Sequence, residues 1–335
     1  MLSIVIPVLN EVESLDPLYQ EIEEVAVANA LEIEVIFVDD GSTDGSWDAI
    51  RRLAARDPRV RGLRFRRNFG KSAALTAGFD EALGELIITL DADLQDDPHE
   101  IPRFLAEVRK GLDVVSGWKK VRHDRWTKVV PSRVFNWLVR AMTGVRLHDH
   151  NCGMKCYRRE VFDEVRLYGE LHRFVPVLAA ARGFSVGELV IHHRPRKFGR
   201  SKFGGAARFV KGFIDLLTVR FLTGYGQRPQ HLLGTIGLTT FLIGAIGLAY
   251  LFGVLAFAQW KPEWHLVPLH ERPALYYSLA LLIFGGQVLS IGVLGELIVA
   301  YHDRAFRTFS ISERTDLVAP DAPAAAGIAS HPPQP

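Results

Sequence analysis

Glu85-Leu86-Ile87-Ile88-Thr89-Leu90-Asp91-Ala92-Asp93-Leu94-Gln95-Asp96-Asp97-Pro98 is an apolar strand that runs directly into a cluster of carboxylates. A short apolar run without polar alternation is the pattern of a strand buried on both faces, as in a parallel sheet. Asp91 and Asp93 stand one residue apart in the turn that follows and project toward a shared space. Hard oxygen ligands of this kind suit Mg2+ or Mn2+ bridging a diphosphate. Asp96, Asp97 and Glu100 also suit a plainer role as caps of the next helix. The same rhythm recurs on either side. Strands are expected at 3–8, 34–38, 63–65, 86–90 and 113–116, and residues 12–30, 46–56, 71–84 and 98–110 carry apolar positions at helical spacing. The alternation predicts an α/β fold, a mostly parallel Rossmann-like sheet covered on both faces, with ligands at the carboxyl ends of its strands.

Two further strand ends are polar. At Val38-Asp39-Asp40-Gly41-Ser42-Thr43-Asp44 a carboxylate at the sheet edge can hydrogen-bond a base or a ribose. The same residues also make ordinary turn chemistry, with Asp-Gly turning the chain and Ser42 or Thr43 capping a helix that begins near Asp44. Pro7-Val8-Leu9-Asn10-Glu11 places Asn10 and Glu11 at the start of a helix, where backbone donors can meet a nucleotide. Each motif alone reads as structure; three polar strand ends in one parallel sheet point to a ligand.

The 335 residues suffice for one α/β domain and a smaller unit. A formal charge of +2 gives no case for nucleic acid as a partner. Cys152 and Cys156 are the two cysteines, with no second pair to close a four-ligand zinc site, and they read as reduced structural thiols. The N-terminus is a strand rather than a cleavable leader, which predicts a cytoplasmic catalytic domain over 1–200.

Composition shifts beyond Gly187. His192-His193-Arg194-Pro195-Arg196-Lys197-Phe198-Gly199-Arg200-Ser201-Lys202 is strongly basic, and 203–221 mixes apolar residues with Arg208, Lys211 and Arg220. The pattern predicts a juxtamembrane amphipathic segment over 201–228, lying on a membrane surface. Residues 232–260 and 273–295 contain no charge, each at or beyond the roughly 20 residues that cross a bilayer core. A two-helix transmembrane hairpin is therefore expected within 229–300, with spans near 232–259 and 274–299. Basic flanks place both ends in the cytoplasm, making a multi-pass protein of the cell's inner (plasma) membrane. The tail 301–335 is rich in Ala and Pro, and order is not expected after about 317. Gly234, Gly237, Gly244, Gly247, Gly285, Gly286 and Gly292 suit close helix packing, within the hairpin or in a homo-oligomer.

Taken together, Pro7-x-x-Asn10-Glu11, Val38-Asp39-Asp40-Gly41-Ser42-Thr43-Asp44, Asn68-Phe69-Gly70-Lys71 and Asp91-Ala92-Asp93-Leu94-Gln95-Asp96-Asp97-Pro98 resemble the family 2 inverting glycosyltransferases of the GT-A fold. Within them the chain is similar to the polyprenyl-phosphate branch, which includes dolichol-phosphate mannose synthase and bacterial bactoprenol glucosyltransferases. Ser132 and Asn136, Asp149-x-x-Cys152-Gly153-Met154-Lys155, Gly169-Glu170-Leu171-His172-Arg173-Phe174 and His193-x-Pro195-Arg196-x-x-Gly199-x-Ser201-Lys202 extend the likeness to about Arg307. The resemblance implies transfer of one sugar from a nucleotide-sugar donor, UDP-glucose by similarity to bacterial relatives, to a polyprenyl phosphate such as undecaprenyl phosphate. It implies that Pro7, Asn10, Glu11, Asp39, Asp40 and Lys71 bind the donor, and that Asp91, Asp93 and Gln95 hold Mg2+ or Mn2+ with the diphosphate. Arg122, Lys128 and Ser132, with Arg196, Ser201 and Lys202, are the candidates for the acceptor phosphate. Asp149 orients acceptor residues or Lys155, or caps a loop. Met154 stands where the family often has an aromatic residue, and no Gln-x-x-Arg-Trp motif of processive synthases is present.

The implied chemistry is self-consistent. A phosphate monoester with a second pKa of about 6 is largely dianionic near neutrality, so it attacks without a strong general base. Catalysis then reduces to alignment and to stabilising the departing diphosphate. A hydroxyl acceptor such as diacylglycerol would need a base, and a donor-binding protein without turnover would need neither.

Overall fold

The computed structural model describes residues 1–120, 126–165, 171–195, 206–225, 228–260 and 267–302. Its strands are β1 (Leu2–Val8), β2 (Ile33–Asp39), β3 (Val60–Arg64), β4 (Leu86–Thr89), β5 (Val114–Trp118), β6 (Lys155–Arg158) and β7 (Val186–Val190). They form one sheet in the order β3-β2-β1-β4-β6-β5-β7. β1 to β4 are mutually parallel, β5 and β7 pair in parallel, and β6 runs antiparallel between β4 and β5. The sheet is thus mixed and mostly parallel.

Its two faces are covered by α1 (Val12–Ala28), α2 (Ser46–Arg56), α3 (Lys71–Glu81), α4 (Ile101–Arg109), α6 (Glu160–Glu164) and α7 (Val175–Ala181). Successive strand residues point to opposite faces, so both sets are apolar when both faces are covered. Ile4, Ile6, Val35 and Phe37 meet Leu15, Leu18, Ile50, Leu53 and Phe104 from α1, α2 and α4. Val5, Ile36 and Val38 meet Leu75, Phe79, Val161 and Val175 from α3, α6 and α7.

The structure corrects three local expectations. β3 covers Val60–Arg64 rather than 63–65, because an edge strand with half-exposed Arg61 and exposed Arg64 carries little apolar signal. β6 and β7 were not expected, since Lys155-Cys156-Tyr157-Arg158 and Val186-Gly187-Glu188-Leu189-Val190 show no buried-strand pattern of their own. α2 starts at Ser46 with Gly45 at its cap, and neither Ser42 nor Thr43 caps it. Those two residues bind Asn10 instead.

A third apolar cluster joins α5 (Trp126–Thr143), the turn Leu171–Phe174, α7 and α8 (Ala206–Tyr225) through Phe135, Val139, Phe174, Leu216 and Val219. The other side of α8 exposes Phe213, Ile214, Leu217 and Leu222, so it is apolar on two sides. α9 (Pro229–Trp260) and α10 (Pro273–His302) follow. Pro229–Phe257 and Pro273–Val299, 29 and 27 residues, are long and apolar enough to cross a membrane, and only 11% of each helix's most apolar stretch is buried within the protein. The helices pack at glycine: a Cβ at Gly237, Gly244 or Gly285 would lie 2.4–2.6 Å from backbone of the facing helix. Gly247 and Gly292 face side chains of the other helix, whereas Gly286 faces open space. The glycines that suggested a homo-oligomer are therefore mostly used inside the hairpin. Glu296 of α10 accepts the Gln230 backbone N–H at 3.2 Å, satisfying one donor left open at the start of α9. Residues 303–335, including the tail expected to lack order, lie outside the described residues.

Candidate active site

β1, β2 and β4 end on one edge of the sheet, and register brings the first residue of β6 there too. Lys155 sits opposite Thr89 of β4 and Ser116 of β5. The acidic loop after β4 turns at Leu94, whose φ of 59° is left-handed although its side chain is buried. Such a conformation costs on the order of 1–3 kcal/mol for a bulky residue and persists where its surroundings enforce it. Those surroundings are specific. Asp93 Oδ1 accepts the Gln95 N–H at 3.1 Å. Gln95 O accepts the Arg194 N–H at 3.0 Å and lies 3.3 Å from His193 Nδ1. Asp96 forms an antiparallel bridge with His193 and pairs with Lys119 Nζ at 2.7 Å. Asp97 accepts the His99 N–H at 3.0 Å, and both Glu21 and Asp97 pair with Arg194 at 2.6 Å. The segment that enters the basic stretch is stitched to the acidic loop.

Asp91 is the electrostatic centre. Its Oδ1 pairs with Lys71 Nζ, and Lys71 opens α3. Burial would raise its pKa, but Lys71, then Lys119 and Lys155, outweigh that and hold it down to about 2. Gly153 packs against the same carboxylate, where a Cβ would stand 2.4 Å from Oδ2. The Gly153 carbonyl accepts from Thr89 Oγ1 at 2.7 Å. Lys155, buried beside them, donates to the Cys152 carbonyl. Burial lowers its pKa, against the field of Asp149 and Asp91. His172 Nδ1 lies 2.8 Å from Ser72 Oγ, and burial, with Lys71 and Arg173, pushes its pKa well below the usual value. Asp149 is buried and accepts the Asn151 N–H at 3.1 Å, while Asn136 of α5 anchors this loop by donating to the His148 carbonyl at 2.8 Å. Cys152 and Cys156 are free and buried, and burial pushes both thiols up to about 12, so neither supplies a thiolate.

His150 is fully buried, and neither ring nitrogen has a hydrogen-bond partner among the described residues. Burial first, then Lys155, lowers its pKa from 6.5 to about 4. Folding therefore excludes a proton that the unfolded chain takes up. Its contribution to stability is intact above about pH 6.5 and is lost progressively as pH falls toward 4, amounting to about 3 kcal/mol. His150→Phe should flatten this part of the curve. Thermal unfolding of the detergent-solubilised protein from pH 7 to 4.5 checks it, and equal slopes for wild type and variant would refute it.

The other two strand ends form one interlocked turn. Asn10, left-handed at φ 51°, donates its N–H to Ser42 Oγ at 2.9 Å and accepts the Thr43 N–H at 2.8 Å. The Glu11 N–H donates to Ser46 Oγ at 3.0 Å. Asp39 Oδ1 accepts the Ser42 N–H at 2.9 Å, and its buried Oδ2, 3.4 Å from Arg64 Nε, has no hydrogen-bond partner among the described residues. Asp40 is fully engaged: its two oxygens accept the Phe69 and Gly70 N–H groups at 2.6 and 3.0 Å. Burial raises its pKa against those two bonds.

The structure thus gathers Pro7, Asn10, Glu11, Asp39, Asp40, Lys71, Asp91, Asp93 and Gln95 along one edge, with Asp149 beside Lys155. Ser132 and Lys128 lie on α5. Arg122, Arg196, Ser201 and Lys202 fall outside the described residues. Sequence reasoning missed Lys119 and His150 as neighbours of the site. Lys119 carries a signal, since it directly follows a strand that ends on the ligand edge.

A mostly parallel Rossmann-like sheet whose strand ends carry paired carboxylates and lysines is the arrangement of a GT-A glycosyltransferase. The chain belongs to glycosyl transferase family 2, whose model matches residues 3–166. It is 36% identical over 322 residues to the dodecaprenyl-phosphate galacturonate synthase of Rhizobium johnstonii, covering 94% of this chain and 93% of that one. It is also 36% identical over 300 residues to the undecaprenyl-phosphate 4-deoxy-4-formamido-L-arabinose transferase of Pseudomonas fluorescens, covering 88% and 83%. Among solved structures, glucosyl-3-phosphoglycerate synthase from Mycobacterium tuberculosis shares the fold. Its complex with Mn2+, UDP-glucose and phosphoglyceric acid superposes with a TM-score of 0.52 at 17% identity, over 66% of this chain and 79% of that one. Its complex with Mg2+ and UDP gives 0.51 at 17% identity, over 64% and 79%.

Proposed function

We propose that this protein transfers a single sugar from a UDP-sugar, with UDP-glucose as the starting candidate, to a polyprenyl phosphate such as undecaprenyl phosphate. The reaction inverts the anomeric centre, at the cytoplasmic face of the inner membrane. The observation that carries the reading is the pairing of Gln95 and Asp96 with His193 and Arg194. It ties the acidic loop to the segment leading through the basic stretch to α8 and the two apolar helices. A donor site joined to a basic stretch of sequence that leads toward the apolar helices fits an acceptor whose phosphate is charged and whose tail stays in lipid. Both curated relatives carry polyprenyl phosphates in their names, and they differ in the sugar.

On this reading, residues 1–200 form the catalytic domain, 201–228 lie along the membrane surface and 229–300 anchor the chain. The exposed apolar side of α8 rests in the headgroup region. Asp39 offers to the nucleoside its Oδ2, which is ion-paired with Arg64 but accepts no hydrogen bond among the described residues, framed by Pro7, Asn10 and Glu11. Asp40 acts one step removed, by holding the Phe69–Gly70 loop that presents Lys71. The metal site fits Mg2+ or Mn2+: Asp91 and Asp93 are hard carboxylate donors, and Asp91 already holds a cation in the form of Lys71. A bound ion would neutralise charge on the departing diphosphate. Lys128, Ser132, Arg122, Arg196, Ser201 and Lys202 receive the acceptor phosphate, and Asp149 steadies Lys155.

The test is incubation of the solubilised protein with undecaprenyl phosphate, Mg2+ or Mn2+, and a panel of nucleotide sugars, followed by mass spectrometry of the lipid. The panel includes UDP-glucose, UDP-galacturonate and a UDP-aminoarabinose derivative. A new glycosyl-phosphoryl lipid establishes the reaction and names the sugar. Transfer to diacylglycerol instead would replace the acceptor, and UDP binding with no transfer from any donor would favour a binding protein.

A further inference from the structure

We propose that Lys71 is an internal counter-cation for Asp91 that gives up its place when the donor diphosphate arrives, so that metal and donor binding depend on each other. The inference rests on the metal-assisted reading above. Three lysines surround Asp91, and their ammonium contacts differ. Lys155 is buried and bonded to the Cys152 carbonyl, and Lys119 is paired with Asp96. Lys71 pairs with Asp91 itself, and its side chain is 31% exposed, on a flexible stem that can swing. The carboxylate has little freedom to turn away, because the Gly153 backbone closes against it.

A cation on Asp91 stabilises the empty site and opposes a second one. A divalent ion arriving alone must displace an ammonium that has nowhere better to go. A diphosphate changes that balance, because it offers Lys71 a more highly charged oxygen partner a short swing away. Asp91 is then released to the metal in the same step that brings the diphosphate. Coupling of this kind is reciprocal: whatever factor the donor adds to metal affinity, the metal adds to donor affinity. The arrangement keeps an adventitious metal off the site until a donor is present.

The experiment is a Mn2+ titration of the full-length solubilised protein, read by the electron paramagnetic resonance of free Mn2+, with and without saturating UDP. Without UDP, Lys71→Met should bind Mn2+ about fivefold or more tightly than wild type, and the tightening caused by UDP should shrink by a similar factor. Lys71→Gln should behave alike. Lys120→Met serves as the control: it removes a positive charge just beyond the end of β5 whose ammonium lies over the Trp118 ring rather than on Asp91. It should change neither quantity. If Lys71→Met matches wild type within twofold while UDP still tightens Mn2+ binding, the counter-cation role is wrong and the metal reading stands. If Lys120→Met raises Mn2+ affinity as much as Lys71→Met, the effect is a general field and the specific role is also wrong. If Mn2+ binds none of the proteins even with UDP, the metal reading fails and takes this inference with it.

Discussion

Asp93→Asn is expected to cut sugar transfer by about a thousandfold or more while leaving thermal stability within about 0.5 kcal/mol of wild type. The substitution keeps the volume and keeps an oxygen for the Gln95 N–H, which the turn requires at 3.1 Å. The left-handed Leu94 therefore stays enforced and the loop keeps its shape. What is lost is one negative charge at the position where a divalent ion would sit. On the proposed reaction, charge stabilisation of a leaving diphosphate is the largest demand, so the loss falls on turnover rather than on folding. Steady-state transfer to undecaprenyl phosphate, with a melting curve on the same preparation, tests both halves. Transfer at the wild-type rate would remove Asp93 from the metal site. A large drop in melting temperature would show that the carboxylate serves the turn instead.

How much of this was legible in the sequence depends on where each interaction originates. The strands of the parallel half announce themselves because burial on both faces leaves runs such as Leu86-Ile87-Ile88, and their polar ends stand out against that background. β6 and β7 are set by partners far along the chain. The place of Lys155 beside Asp91 follows from its register opposite Thr89, which no local pattern encodes. Asp40 is the instructive case. Its neighbours in sequence suggest a ligand contact, yet its oxygens face the Phe69 and Gly70 amides, 29 and 30 residues on. A carboxylate that meets a ligand and one that meets a distant loop look alike in one dimension. The basic segment was legible by composition, but its attachment to Gln95 through Arg194 was not.

Gly153→Ala is expected to lower transfer by about a hundredfold, an effect out of proportion to one methyl group. Gly153 does not have a positive φ, so alanine costs nothing special in backbone strain. The conflict is steric and local. A Cβ there would lie 2.4, 2.6 and 2.8 Å from Asp91 Oδ2, Cγ and Oδ1, closer than real contacts allow. The Gly153 backbone is held through the bond from Thr89 Oγ1 to its carbonyl, so Asp91 is the group that must move. If Asp91 holds the metal as proposed, a shift of about 1 Å in its carboxylate is enough for a loss of this size. Because the damage runs through Asp91, it should vanish where Asp91 is already disabled: Gly153→Ala/Asp91→Asn should be no slower than Asp91→Asn alone. Additive losses in that cycle would mean that Gly153 acts elsewhere, through the Cys152–Lys155 turn or the acceptor side. Full activity in Gly153→Ala would mean that Asp91 can occupy another position and still work.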